Sequence, residues 1–169
     1  VSTVDGSITV NGAISAGAGN TTLTATTLPN PSTVRSITVS STITGSNNTI
    51  TIKANNITIS AAVNAGATSG IIKVLPFLAD TLVAIGGTSA DADGNPDTLG
   101  LTSTEIGLLT AFDVQIGSAA STGGYTIGGT VTPATGSNEV TVTTTGSITG
   151  QSGSSVDIES ANITLSAAG

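Results

Sequence analysis

Four times along this chain an apolar residue is followed by others at +2, +6 and +15. The sets are Ile8, Val10, Ile14 and Leu23; Ile37, Val39, Ile43 and Ile52; Ile57, Ile59, Val63 and Ile72; and Tyr125, Ile127, Val131 and Val140. The second and third sets are offset by 20 residues, an offset that also superposes Lys53 on Lys73. Each +0/+2 pair lies in a short alternating run such as Ser36-Ile37-Thr38-Val39 or Asn56-Ile57-Thr58-Ile59, aliphatic on one face and polar on the other. Gly, Asn and Ser fill the intervals, as in Gly45-Ser46-Asn47-Asn48. A repeat near 20 residues with several short strands in each predicts an all-β fold, a parallel β-helix or β-solenoid. Inward aliphatics would then stack on their equivalents about 4.8 Å along the axis, with Lys53 and Lys73 at about that separation. An antiparallel Ig-like sandwich also alternates, but it uses strands of about 5–6 residues and usually a large buried aromatic.

Composition fits the stacked alternative and excludes much chemistry. Of 169 residues 8% are charged and 2% aromatic, and His, Cys, Met and Trp are all absent. A Ser-His-Asp or Cys-His site, a His/Cys zinc or haem site and a Walker lysine loop therefore cannot be built. A net charge of -7 leaves no basic stripe for nucleic acid or an anionic membrane surface. No apolar run approaches the ~18 residues of a membrane span. Val1 in place of an initiator Met reads as the start of a processed product or excised segment. Residues 1–169 read as a single solenoid, about 8 turns and ~40 Å long at 20 residues per turn.

Residues 76–124 break the repeat and read as one irregular coil carrying a loop and a short helix. Pro76 cannot donate to a strand ladder. Thr102-Ser103-Thr104-Glu105 has capping-box spacing, and Ile106, Leu108 and Leu109 follow as a helical stripe to about Ala111, before a strand with Val114 and Ile116. Phe77, Phe112 and Tyr125 are expected to plug this wider coil. Leu28-Pro29-Asn30-Pro31 reads as a smaller protruding loop, and Ser147 to Gly169 as one further coil.

Candidate sites are few. Asp91, Asp93, Asn95 and Asp97 alternate oxygen ligands suited to a hard cation, so calcium ordering this loop stands beside a plain solvated turn; no other cofactor is expected. Asp157 and Glu159 leave one strand face about 6–7 Å apart, a spacing compatible with glycoside hydrolysis, but without aromatic platforms or basic subsites they read as solubilising charges. Asn20, Asn47, Asn56 and Asn162 each open a glycosylation sequon, and Asn56 also suits a stacked corner.

The phrases Thr22 to Ala25, Gly146 to Gly150 and Asn162 to Ser166, with the block Leu99 to Ile106 through Ile116-Gly117-Ser118, resemble large bacterial exoproteins of the filamentous haemagglutinin type. The resemblance implies a right-handed coil, secretion to the bacterial cell surface, and roles in adhesion, biofilm or filament formation. The family's amino-terminal secretion motif is not visible in this sequence. The expected function is therefore non-enzymatic: a structural or adhesive segment of an extracellular rod, partnered head to tail by itself or neighbouring copies. The alternatives are a glycan- or surface-binding adhesin module using residues 76–124, and a polysaccharide-active β-helix enzyme. Joining Gly169 to Val1 preserves the interior idiom, which suits a filament unit or one period of a longer array.

Overall fold

The computed structural model describes residues 1–4, 6–26, 35–86, 98–129, 131–150 and 162–168. Among these are sixteen strands and one short helix. The first strands are β1 (Ser2–Val4), β2 (Ile8–Val10), β3 (Ile14–Ser15), β4 (Thr21–Thr26), β5 (Ser36–Val39), β6 (Ile43–Thr44), β7 (Thr49–Lys53) and β8 (Asn56–Ile59). They are followed by β9 (Val63–Leu75), β10 (Leu82–Ile85), β11 (Thr98–Leu101), α1 (Ser103–Ile106) and β12 (Leu109–Gly117). The chain closes with β13 (Tyr125–Ile127), β14 (Glu139–Thr144), β15 (Ile148–Gly150) and β16 (Asn162–Ala167).

The alternation of aliphatic with Thr or Ser gives each strand one face to bury, and the strands find their partners one pass of the chain away. Among the described residues every strand pairing is parallel, as connections of this length allow when the chain returns in the same direction. The largest sheet has nine strands, in the order β1-β4-β7-β9-β12-β14-β16, with β6 pairing to β9 and β3 pairing to β6. A second has the order β11-β10-β13-β15 and a third β2-β5-β8. The result is an all-β structure of long parallel sheets with one short helix.

Inward residues align in columns across these ladders. Ile8, Ile37 and Ile57 form one, and Leu23, Ile52, Val74, Ile116 and Val142 another. All are buried, so the core is a stack of aliphatics with dispersion contacts running strand to strand. Sets one to three were expected to superpose throughout, and most positions do. The exception is the last: Ile52 pairs with Val74, and Ile72 with Ile50. Lys73 accordingly faces Thr51 and Lys53 faces Leu75, so the two lysines are not stacked.

The cause is a two-residue detour in β9. Twenty residues separate Ile43 from its partner Val63, but twenty-two separate Ile50 from Ile72. The added length leaves the amides of Thr68 and Ser69 facing Asn47, whose side-chain oxygen accepts from both at 3.3 Å. Gly66, at φ +97, sits where a Cβ would overlap the Asn47 amide, so the detour needs glycine there. Because the insertion is even, the inward-outward parity of β9 survives.

Residues 76–124 contribute three strands to the sheets. Pro76 ends β9, and the Asn55 side chain accepts from the Phe77 and Leu78 amides at 2.8 and 3.0 Å, turning the chain. β10 then lies between β11 and β13, beyond the strand that follows it in sequence. The capping box of α1 forms as expected: the Glu105 amide donates to the Thr102 hydroxyl and the Glu105 carboxylate accepts from the Thr102 amide. The helix is shorter than its apolar stripe suggests. It stops at Gly107, and Leu109 and Ala111 are inward strand residues of β12, since burial in the ladder outweighs the helical spacing. Of the three aromatics only Tyr125 enters the core. Phe112 is 43% exposed on the outer face of β12, and Phe77 is half-buried beneath the Lys53 ammonium, 5.3 Å from the ring centre. The tail adds β15 and β16, paired with β13 and β14, as a further coil would require.

Candidate functional site

The metal candidate Asp91, Asp93, Asn95 and Asp97 lies outside the described residues, as do Asp157, Glu159 and the Leu28-Pro29-Asn30-Pro31 loop. Among the described residues no three His, Cys, Asp or Glu side chains gather at one point. Of the sequons, Asn56 is buried and opens β8, paired in register with Ser36. Asn20 and Asn47 are used by the fold, Asn20 accepting from the Thr49 amide at 2.9 Å.

A concave polar surface lies on the outer face of the nine-stranded sheet. One outward row runs Thr22, Thr51, Lys73, Gln115, Thr141 and Thr164 across six adjacent strands. Beside it, β14 offers Thr143, but its partner on β12 is Gly117, so the row has a gap one side chain wide. The gap opens a pit of about 310 Å³ bordered by Lys73, Leu75, Gln115, Thr141 and Thr143 and closed by the Ser118-Ala119 turn.

Gly117 is fixed by what lies behind it. Its φ is +77, and a Cβ there would overlap the phenol oxygen of Tyr125 and the Thr143 carbonyl. The buried aromatic on one sheet thus dictates the missing side chain on the other. The Tyr125 hydroxyl makes no hydrogen bond of ordinary geometry among the described residues. Burial pushes its ionisation above the ordinary value near 10, and Ser121 alongside opposes part of the shift.

The walls of the pit are preset. The Asp113 carboxylate accepts from the Gln115 amide at 2.5 Å and from the Thr141 hydroxyl at 3.1 Å. With those donors engaged, the Gln115 side-chain oxygen and the Thr141 lone pairs remain as acceptors. Lys73 makes no ion pair or hydrogen bond among the described residues, and its three ammonium donors are unspent. Sequence reasoning missed this pit. Asp113-Val114-Gln115-Ile116-Gly117 alternates like its neighbours, and only the pairing with β14 shows that its final glycine lies opposite Thr143.

A second carboxylate does structural work. Glu105 is buried, and beyond its cap its other oxygen accepts from the Ile59 amide at 2.9 Å. Ile59 belongs to β8, the last strand of the three-stranded sheet, which lies against β11 without joining its ladder. Glu105 therefore partners an edge amide where the parallel ladder is interrupted. Sequence reasoning found the cap but not this reach across 46 residues.

Comparison of the chain with protein-family models, with curated proteins and with solved structures finds no match in any of the three.

Proposed function

We propose that this chain is a non-enzymatic, rod-forming segment of a β-solenoid, a right-handed parallel β-helix on a secreted bacterial surface protein. The observation that supports it is the open inner column at β16. Leu165 pairs with Val142, in the column of Leu23 and Ile52, yet is 49% exposed because no described strand lies beyond it. An exposed aliphatic layer on a strand with no described neighbour on its far side favours one occupant, a further parallel strand with the same spacing. That strand comes from more of the same chain or from another copy head to tail. Thr and Ser on the outer faces keep such a rod hydrated with little charge.

The test is sedimentation of the purified chain over a concentration series, with Leu165→Lys as comparison. Association that grows with concentration and is lost in the variant supports stacking at this face. A chain that stays monomeric, or a variant that associates as strongly as the parent, counts against it.

A second reading, a glycan- or surface-binding module drawing on residues 76–124, is favoured by the pit at Gly117, part of whose border is residues 115–119. Adhesion of displayed protein that falls when Gln115 and Ser118 become Ala supports this reading; unchanged adhesion removes it.

A further inference from the structure

We infer that the pit at Gly117 is a subsite for one acidic sugar residue, a hexuronate, with its carboxylate on Lys73 and its hydroxyls on Gln115, Thr141 and Thr143. The inference rests on the binding-module reading above and names the ligand class for that site.

The size comes first. At about 310 Å³ the pit lies at the small end of ligand pockets, room for one ring and not for an extended chain in depth. It is open along the outer face, so a residue within or at the end of a longer glycan can enter while its neighbours lie along the Thr row.

The lining comes second, and it is amphipathic as a pyranose is. Leu75 and the bare backbone of Gly117 give an apolar patch for the C–H face of a ring. Around it stand the Gln115 and Thr141 side chains, whose directions Asp113 has already set, and the Thr143 hydroxyl. A sugar hydroxyl donates to the Gln115 oxygen or the Thr141 oxygen and accepts from Thr143. Because the Asp113 hydrogen bonds exist without ligand, binding orders few protein groups, which limits the entropic cost.

The charge comes third. The chain has only three Lys and Arg against ten Asp and Glu. Lys53 is spent on the Phe77 ring, whereas Lys73 borders the pit with no partner among the described residues. An unpaired ammonium beside oriented acceptors selects a ligand that carries an anion and hydroxyls together. A simple anion leaves the acceptors unused, and a neutral sugar leaves Lys73 unused. Asp113 keeps its negative charge, but it is not among the residues that border the pit, whereas Lys73 is.

The test is a titration of the 15N-labelled full chain, read at the amides of Gly117, Ser118 and Gln115, with D-glucuronate, D-glucose and acetate as separate probes. The expected result is saturable shifts with glucuronate at a Kd on the order of 1–10 mM, the range for a ligand this small. Glucose and acetate should each bind at least about tenfold more weakly, and Lys73→Gln should weaken glucuronate by about tenfold, as expected for one charge-assisted contact. Thr143→Tyr, which fills the pit from its exposed rim, should abolish the shifts while the rest of the spectrum is retained. Glucose binding as tightly as glucuronate, or glucuronate binding unaffected by Lys73→Gln, overturns the acidic-sugar inference and leaves the binding-module reading to its adhesion test. Absence of saturable shifts with every probe overturns the inference as well.

Discussion

Replacement of Glu105 probes the interruption in the parallel ladder most sharply. Its two oxygens serve three donors: one takes the Ile59 amide at 2.9 Å, and the other takes the Thr102 amide at 2.8 Å and the Thr102 hydroxyl at 2.9 Å. Glu105→Gln keeps the shape but turns one oxygen into an NH₂ group, which must face a donor whichever way the amide is set. One buried donor set is then unsatisfied, at a cost of about 1–3 kcal/mol. Glu105→Ala removes both oxygens and the reciprocal cap, and should cost about 2–4 kcal/mol. Thr102→Ala isolates the cap, at about 1 kcal/mol. Urea unfolding gives the totals, and hydrogen exchange locates them. The Ile59 amide should lose protection in both Glu105 variants and keep it in Thr102→Ala. A Gln variant within about 0.5 kcal/mol of the parent, with Ile59 protection unchanged, would refute the view that this carboxylate partners an otherwise open strand edge.

Three further outcomes follow from the same packing. Tyr125 is the single tyrosine, and its folded ionisation is raised, so above pH 10 the unfolded chain loses a proton that the folded chain keeps. Stability should be flat through neutral pH with respect to this group and fall as pH rises past 10, and Tyr125→Phe should lose that component in pH-dependent urea melts without cost at pH 7. Gly117→Ala should lose about 2–5 kcal/mol, from the left-handed backbone and the collision with the Tyr125 hydroxyl. Combining it with Tyr125→Phe should recover part of the loss, and strict additivity in that cycle would argue against the contact. Ile52→Ala, in the middle of an inner column, should cost about 2–5 kcal/mol by thermal or urea melting, against under 0.5 kcal/mol for Thr51→Ser on the outer face.

What could be read in advance was whatever depends on local alternation. The Ile8, Ile37 and Ile57 column and the Ile14, Ile43 and Val63 column needed only the period of two and a repeated spacing, and both are paired as expected. The Thr102-Glu105 box was equally local. Features resting on contacts between distant segments were not visible. The detour that separates Lys53 from Lys73 hangs on Asn47, whose side chain serves amides some 21 residues away. The early end of α1 reflects Leu109 pairing with Val63 in the sheet, a tertiary gain that the helical spacing cannot register. The pit belongs with these: nothing local marks Gly117, and only the fold shows that it pairs with Thr143 and that a Cβ there would meet the Tyr125 hydroxyl.

Stacking of the strands along the long axis of the proposed rod is open to direct test. Electron microscopy and X-ray diffraction of an aligned, concentrated preparation of the purified chain test it together. The expected result is uniform rods or fibres with a reflection near 4.8 Å along their length, the spacing of parallel strands stacked on one another. Compact, monodisperse particles, or elongated ones whose 4.8 Å reflection lies across the long axis, would contradict it.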